Sequence, residues 1–369
     1  MAIYPKLIMD ALRTVRYPGT GQDIVSMGMV DEDIHIDGMK VSLTLVTEKA
    51  NDPFIRSLVK MCEQAILVHA DKDIDIKGNI SVRSKQAPRP EVTKLLPEVK
   101  NIVAVASGKG GVGKSTICTN LAVALAQKGY KVGLLDADIF GPSIPKMLDA
   151  EEARPMLEKK DGRELIEPIE NYGVKMLSIG FFVNKDDAVV WRGAMATNAL
   201  KQLIGDANWG ELDYFLIDLP PGTSDIHLTL VQTLAITGAV IVSTPQEVAL
   251  ADARKGISMF AGDKVNVPIL GLVENMAWFT PAELPENKYY IFGEGGCKKL
   301  AEERGYPLLG QIPIVQSIRQ AGDDGRPAAL NTDSITGMAF AELADRLVES
   351  VDKRNRELPK TGIVEITTK

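Results

Sequence analysis

Cysteine is scarce: Cys62, Cys118 and Cys297 are the three in 369 residues, and no two lie close together. That excludes a disulfide framework and points to a reducing compartment. Histidine is equally scarce. His35, His69 and His227 stand apart, without the spacing of a zinc site. No uninterrupted apolar stretch approaches the length of about eighteen residues that a spanning helix needs. The opening Met-Ala-Ile-Tyr-Pro-Lys lacks the basic start and apolar run of a signal peptide. The expected location is therefore cytoplasmic, with no membrane partner. Basic residues are not in surplus either. Forty-two Lys and Arg against 49 Asp and Glu give a net charge of −7, opposite to the footprint of a general nucleic-acid binder. Internal repeats and low-complexity tracts are absent. What remains is an ordinary globular mix, 45% hydrophobic and 25% charged, long enough for two or three units.

The first unit, residues 1–84, reads as small and α+β. Tyr4 to Val15 has a helical period, and Asp33 to Ile36 and Lys40 to Val46 alternate like strands. Asp37-Gly38 between them predicts a type I′ hairpin turn. Pro53 opens a helical run over Phe54 to Val68, and Ile74 to Val82 alternates again. Residues 85–100 hold Pro88, Pro90 and Pro97 without periodicity, the texture of a linker. Residues 101–369 change character. Short continuous apolar runs alternate with helical stretches. The runs are Ile102–Ala106, Lys131–Asp136, Tyr214–Asp218, Ala239–Ser243 and Ile269–Glu274. This predicts an α/β fold with a mostly parallel sheet flanked by helices on both faces. A last helix over Ser334 to Arg354 gathers Met338, Leu343, Leu347 and Val351 on one side. Its other side is acidic, unlike a basic membrane-binding helix.

The decisive segment follows the first of those runs. Ser107-Gly108-Lys109-Gly110-Gly111-Val112-Gly113-Lys114-Ser115-Thr116 contains the phosphate-loop pattern G-x-x-x-x-G-K-[ST]. An apolar strand precedes it and an apolar helical run follows, as the motif requires. Glycines let backbone amides converge on a phosphate, and the helix N-terminus adds partial positive charge. Lys114 is placed to reach the β- and γ-phosphates of ATP, and Ser115 to ligate Mg2+.

Lys109 has no role in the plain pattern. The form K-G-G-x-G-K-[ST] resembles the deviant Walker A ATPases of the MinD, ParA and nitrogenase iron protein class. There the equivalent lysine reaches across a dimer to the partner's nucleotide, so the resemblance implies a homodimer. It also assigns the acidic motifs. In Leu134-Leu-Asp136-Ala-Asp138, two carboxylates two apart on a strand share a face at its carboxyl end. Asp138 would orient the attacking water and Asp136 would support the Mg2+ shell. In Phe215-Leu-Ile-Asp218-Leu-Pro220-Pro221-Gly222, Asp218 would hold a Mg2+-bound water and the turn would sense the γ-phosphate. Asn275 would hydrogen-bond the adenine, and Pro313 would contribute backbone contacts.

The resemblance narrows further. Asp136-Ala-Asp-Ile-Phe-Gly-Pro-Ser143, Trp191-Arg-Gly193, Asp218-Leu-Pro-Pro-Gly-Thr-Ser-Asp225, Ser243-Thr-Pro-Gln-Glu247, Ile291-Phe-Gly-Glu-Gly-Gly296 and Leu309-Gly-Gln-Ile-Pro313 resemble the Mrp/ApbC group. Gly21-Gln-Asp-Ile-Val-Ser-Met-Gly-Met-Val30 resembles the MIP18-like domain fused ahead of it. The group implies an ATP-hydrolysing iron–sulfur cluster carrier that binds a [4Fe–4S] cluster at a dimer interface and delivers it to apoproteins. Here the chain departs from the pattern. Many members carry C-x-x-C after the Asn-Met pair, whereas this chain has the aromatic insert Trp278 to Tyr290 and no cysteine there. Cys297 is the nearest candidate ligand, at the start of a predicted helix whose N-terminus would lower its thiol pKa; the alternative is a small residue that packs that helix. The insert reads as a partner-binding loop or a dimer contact.

Two other readings belong to the same class. A MinD- or ParA-like positioning ATPase would carry a membrane-targeting helix or a basic DNA surface. A reductase like the nitrogenase iron protein would need a cysteine soon after Asp218, and Leu219 to Leu230 has none.

Overall fold

A computed structural model describes residues 3–18, 20–31, 34–47, 54–84, 95–160, 162–182, 193–262, 265–281, 283–284, 286–359 and 361–363. Asp33, Pro53, most of the linker (85–94), Trp191, Arg192 and two insert residues, Ala282 and Pro285, lie outside them. The chain divides into two compact units, Met1–Thr93 and Lys94–Lys369.

The first unit contains α1 (Pro5–Leu12), β1 (His35–Asp37), β2 (Lys40–Thr47), α2 (Ile55–His69) and β3 (Ile80–Ser84). The three strands form one sheet in the order β1-β2-β3, antiparallel and then parallel. The turn between β1 and β2 is Gly38-Met39, and only Gly38 has positive φ (62°). That fits a II′ turn, with glycine first, and corrects the I′ expectation. The expected strand over Ile74 to Val82 also starts late. Gly78, at φ 80°, breaks the run, and pairing with β2 is regular from Ile80.

The second unit runs β4 (Val99–Ala106), α3 (Lys114–Gln127), β5 (Val132–Asp136), α4 (Ile144–Met147), β6 (Leu157–Lys160), β7 (Arg163–Ile166), β8 (Ile169–Asn171) and β9 (Val174–Ser178). It continues α5 (Gly193–Gly205), β10 (Leu212–Asp218), α6 (Asp225–Thr233), β11 (Gly238–Ser243), α7 (Glu247–Ala261), β12 (Ile269–Phe279), α8 (Gly296–Arg304), β13 (Leu308–Ile314), α9 (Gln316–Asp323) and α10 (Ile335–Glu357). Eight strands form one sheet in the order β13-β12-β11-β4-β10-β5-β9-β8. All neighbours are parallel except β8, which runs antiparallel to β9.

The apolar runs are continuous because both faces of the sheet are covered. Along β4, Ile102, Ala104 and Ala106 join one core with Leu200, Leu230 and Phe260. Val103 and Val105 join the other, with Leu121, Phe340 and Leu347. On α10 the buried stripe is Phe340, Leu343, Leu347 and Val351, while Met338 is exposed, contrary to its expected place on that stripe. Among the described residues no helix is long and apolar enough to cross a membrane.

Candidate functional site

The phosphate loop joins the end of central strand β4 to the start of α3. Gly111 (φ 81°) and Gly113 (φ 80°) take left-handed backbone that side chains disfavour. A Cβ on Gly108 would lie within 3 Å of the Ala253 amide on α7, at 2.5 Å, so this glycine also permits close helix packing. Ser107 Oγ donates to the Lys109 carbonyl at 3.0 Å and tightens the loop. The amides of residues 109–116 have no acceptor among the described residues. They form an unspent set of donors at a helix N-terminus, a cradle for an anion.

Lys114 is buried, and its Nζ donates to Asp218 Oδ1 at 2.7 Å and to Ser115 Oγ at 3.2 Å. Ser115 Oγ donates to Asp218 Oδ2 at 2.6 Å. Asp218 ends β10, with Asp136 opposite it at the end of β5. Both carboxylates are fully buried. Asp136 Oδ2 accepts from Ser178 Oγ (2.9 Å) and from the Ile144 amide (3.3 Å). Burial first, then the neighbouring Asp218, pushes Asp136 up to about 8. Burial also raises Asp218, against the pull of Lys114. Two carboxylates, a hydroxyl and one ammonium thus share a dry pocket at the carboxyl edge of the sheet. Such an oxygen set suits a hard divalent cation.

Asp138 lies elsewhere than its spacing predicts. β5 ends at Asp136, so the two carboxylates do not share a strand face; Asp138 sits half-buried in the following loop. Its amide donates to Asp136 Oδ1 at 3.2 Å, and burial, opposed by Lys114, raises its pKa. Lys109 is exposed. Asn275 is buried and donates from Nδ2 to the Val112 carbonyl at 2.8 Å, holding β12 against the phosphate loop. Gly113, Thr116, Asn275, Met276, Pro313 and Arg319 help line a cavity of about 360 Å3 beside the loop. Small-molecule pockets start at about 300 Å3. The cavity joins Asn275 and Pro313, which the sequence places far apart.

Cys297 fits the packing reading, and the lowered thiol pKa expected of it is corrected. It occupies the first turn of α8 but is fully buried, and burial raises its thiol pKa instead of the helix end lowering it. The fully buried Glu274 carboxylate lies beside it and accepts the Cys297 amide at 2.7 Å and Gln311 Nε2 at 2.6 Å. The insert starts as strand: β12 continues to Phe279, which exchanges two backbone hydrogen bonds with Tyr289, of 2.9 and 2.8 Å. Lys288 Nζ lies 4.1 Å from the centre of the Trp278 ring.

Some site residues carry no sequence signal. Ser178, which holds Asp136, ends a strand of no recognisable motif. His227 lies one turn into the helix after the Asp218 turn. Its Nδ1 accepts from the Ser224 amide at 3.1 Å, and its buried Nε2 has no partner among the described residues. Burial lowers its pKa to about 4. The folded protein therefore binds this proton less readily than the unfolded chain. Stability should fall as pH drops from about 6.5 to 4, with this residue contributing up to about 1.4 kcal/mol per pH unit. Urea melts of wild type and His227→Gln between those limits check this: the variant should show the shallower fall.

Comparison with known proteins places this geometry. The family profile described as NUBPL iron-transfer P-loop NTPase matches residues 98–348. A second, described as iron-sulfur cluster assembly protein, matches residues 6–77. An iron-sulfur cluster carrier protein of Synechocystis is 40% identical over 346 residues, 93% of this chain and 97% of that protein. The carrier protein of the same name from Escherichia coli K12 is 45% identical over 306 residues, 82% of this chain and 80% of its own length. Among solved structures, an Archaeoglobus fulgidus nucleotide-binding protein in complex with ADP aligns at TM-score 0.55 and 39% identity, covering 64% of this chain and 90% of that one. The Pyrococcus furiosus cell division ATPase MinD shares the fold at TM-score 0.50 and 23% identity, over 68% of this chain and 98% of its own.

Proposed function

The chain belongs to the NUBPL iron-transfer P-loop NTPase family, and from that premise we propose that it binds Mg-ATP as a homodimer, hydrolyses it slowly and uses the cycle to mature iron–sulfur apoproteins. The observation that carries this reading is the cluster of unspent loop amides with Lys114, Ser115 and Asp218 in mutual contact. The amides of Gly108 to Thr116 cradle the β-phosphate, and Lys114 leaves Asp218 for the phosphate oxygens. Ser115 would ligate magnesium, with Asp218 and Asp136 supporting its outer shell. The metal, when bound, neutralises charge developing on the β- and γ-phosphates. Asp138 positions the attacking water, and its half-buried place leaves it free to do so. Asn275, Met276 and Pro313 flank the base. The chain itself contributes no nucleophile: it positions and supplies charge.

Lys109 works in trans. It is the one loop lysine that is exposed and engages no carboxylate among the described residues, so it is available to a second copy's nucleotide. One preorganised donor aimed at transition-state charge is worth about 10²–10³ in rate. Lys109→Ala should therefore lose about that factor in kcat at saturating ATP while one chain still binds ATP normally. Steady-state turnover combined with equilibrium binding tests the reading. Unchanged turnover would remove both the trans lysine and the dimer from it. In domain terms we assign residues 1–84 to the small domain, 85–100 to the linker and 101–369 to the ATPase, with the correction that β4 takes up the last two linker positions, Val99 and Lys100.

A further inference from the structure

An iron–sulfur carrier needs thiolates. Biological clusters of this kind are held almost entirely by cysteine sulfur, four per cluster, and the ligand is the deprotonated form. This chain has three cysteines, and each is fully buried in a different place. Cys62 sits on α2 in the core of the small unit, with Ile8, Leu45 and Ile66. Cys118 sits on α3 among Val105, Leu121 and Leu134, under the phosphate loop. Cys297 sits on α8 beside Leu250, Leu272 and Leu300. None is offered to a ligand at the surface.

Their environments also oppose ionisation. Burial pushes Cys62 up to about 12 and raises Cys118 well above the usual thiol range. A helix N-terminus by itself favours a thiolate, and Cys297 lies in the first turn of α8. There, however, the Glu274 carboxylate already takes the Cys297 amide, at 2.7 Å, and repels a second negative charge beside it. Its Sγ points to the Thr244 carbonyl, 3.9 Å away, inside the core. Nor do other side chains compensate. Among the described residues no group of three or more His, Cys, Asp or Glu could hold a metal ion. The strand β12 and the segment after it, to Tyr290, contain Trp278, Phe279, Tyr289 and Tyr290 and no cysteine. The residues present do not fit a cluster ligated by this chain.

We infer that the protein serves iron–sulfur cargo held by the thiolates of another polypeptide, so that its direct partner is a cysteine-bearing cluster protein and its own contribution is nucleotide-driven association. This rests on the maturation role proposed above and narrows it to the partner's chemistry. The carrier relatives are then similar in their nucleotide machinery, while this chain differs from a self-loading carrier.

The test has two arms on the full-length protein. In the first, the chain is incubated anaerobically with ferrous iron, sulfide and dithiothreitol and then desalted. The expected product has no visible cluster absorption and no stoichiometric iron. In parallel, a maleimide should label none of the three thiols in the native protein and all three in denaturant. In the second arm, apo-aconitase is mixed with a [4Fe–4S]-loaded scaffold protein, with and without the chain and ATP. The chain with ATP should speed recovery of aconitase activity. A cluster retained by the chain alone overturns the inference and leaves the maturation role standing. Its loss in Cys297→Ser would then identify the ligand. No retained cluster together with no acceleration overturns the maturation role, and the inference falls with it. Acceleration without a retained cluster supports both.

Discussion

Lys114→Ala should weaken ATP binding by about 10²–10³-fold, about 3–4 kcal/mol. The size follows from where the lysine sits. Its ammonium is buried, with Nζ 2.7 Å from Asp218, where solvent screens its charge little. Charge-assisted contacts in such a place are the strong ones. The variant also leaves Asp136 and Asp218 side by side without their cation. Both should then take up protons more readily, since burial already raises each. Protonation limits the cost to the fold, and a melting curve separates lost affinity from lost structure. Titration calorimetry with Mg-ATP reads the affinity. Wild-type binding by a well-folded variant would mean that the loop does not hold the phosphates through this residue.

The second large effect is on turnover. Asp138→Ala should keep ATP affinity within about threefold and lower kcat by about 10²–10⁴-fold, the range for removing a group that positions or deprotonates the attacking species. Its half-buried carboxylate makes no ion pair among the described residues; alanine gives up only its contacts with the Phe140 and Gly141 amides, and keeps the backbone amide that donates to Asp136. The fold should therefore be nearly unaffected. A variant that binds and turns over normally would remove Asp138 from the mechanism. A variant that fails to bind would make it part of the nucleotide cradle instead.

The contrast between these residues shows what a linear sequence can convey. Lys114 and Ser115 are legible because the phosphate loop needs particular residue types at fixed spacing, whatever the rest of the chain does. The central strands are equally legible, since a strand covered on both faces must be apolar throughout. β6 to β9 carry no such mark. β6 is exposed along its length, and its partner β7 is exposed or half-buried, so no alternation announces them. The extension of β12 to Phe279 depends on pairing with β13 and a contact to Tyr289, neither of them local. The raised thiol of Cys297 is illegible for the same reason. A helix N-terminus can be read from Gly295-Gly296, but the buried Glu274 that occupies it comes from a strand more than twenty positions earlier. Ser178 acquires its role only because β9 lies beside β5. Tertiary neighbours, not local propensity, decide all of these.

The central claim is that residues 108–116 wrap a triphosphate while a second copy adds charge through Lys109. A crystal structure with magnesium and a non-hydrolysable ATP analogue tests it most directly. The account predicts phosphates on the loop amides, Lys114 Nζ transferred from Asp218 to the phosphate oxygens, and the Lys109 of one chain at the nucleotide of the other. A nucleotide bound elsewhere, with Lys114 still paired to Asp218 over an empty loop, would contradict it.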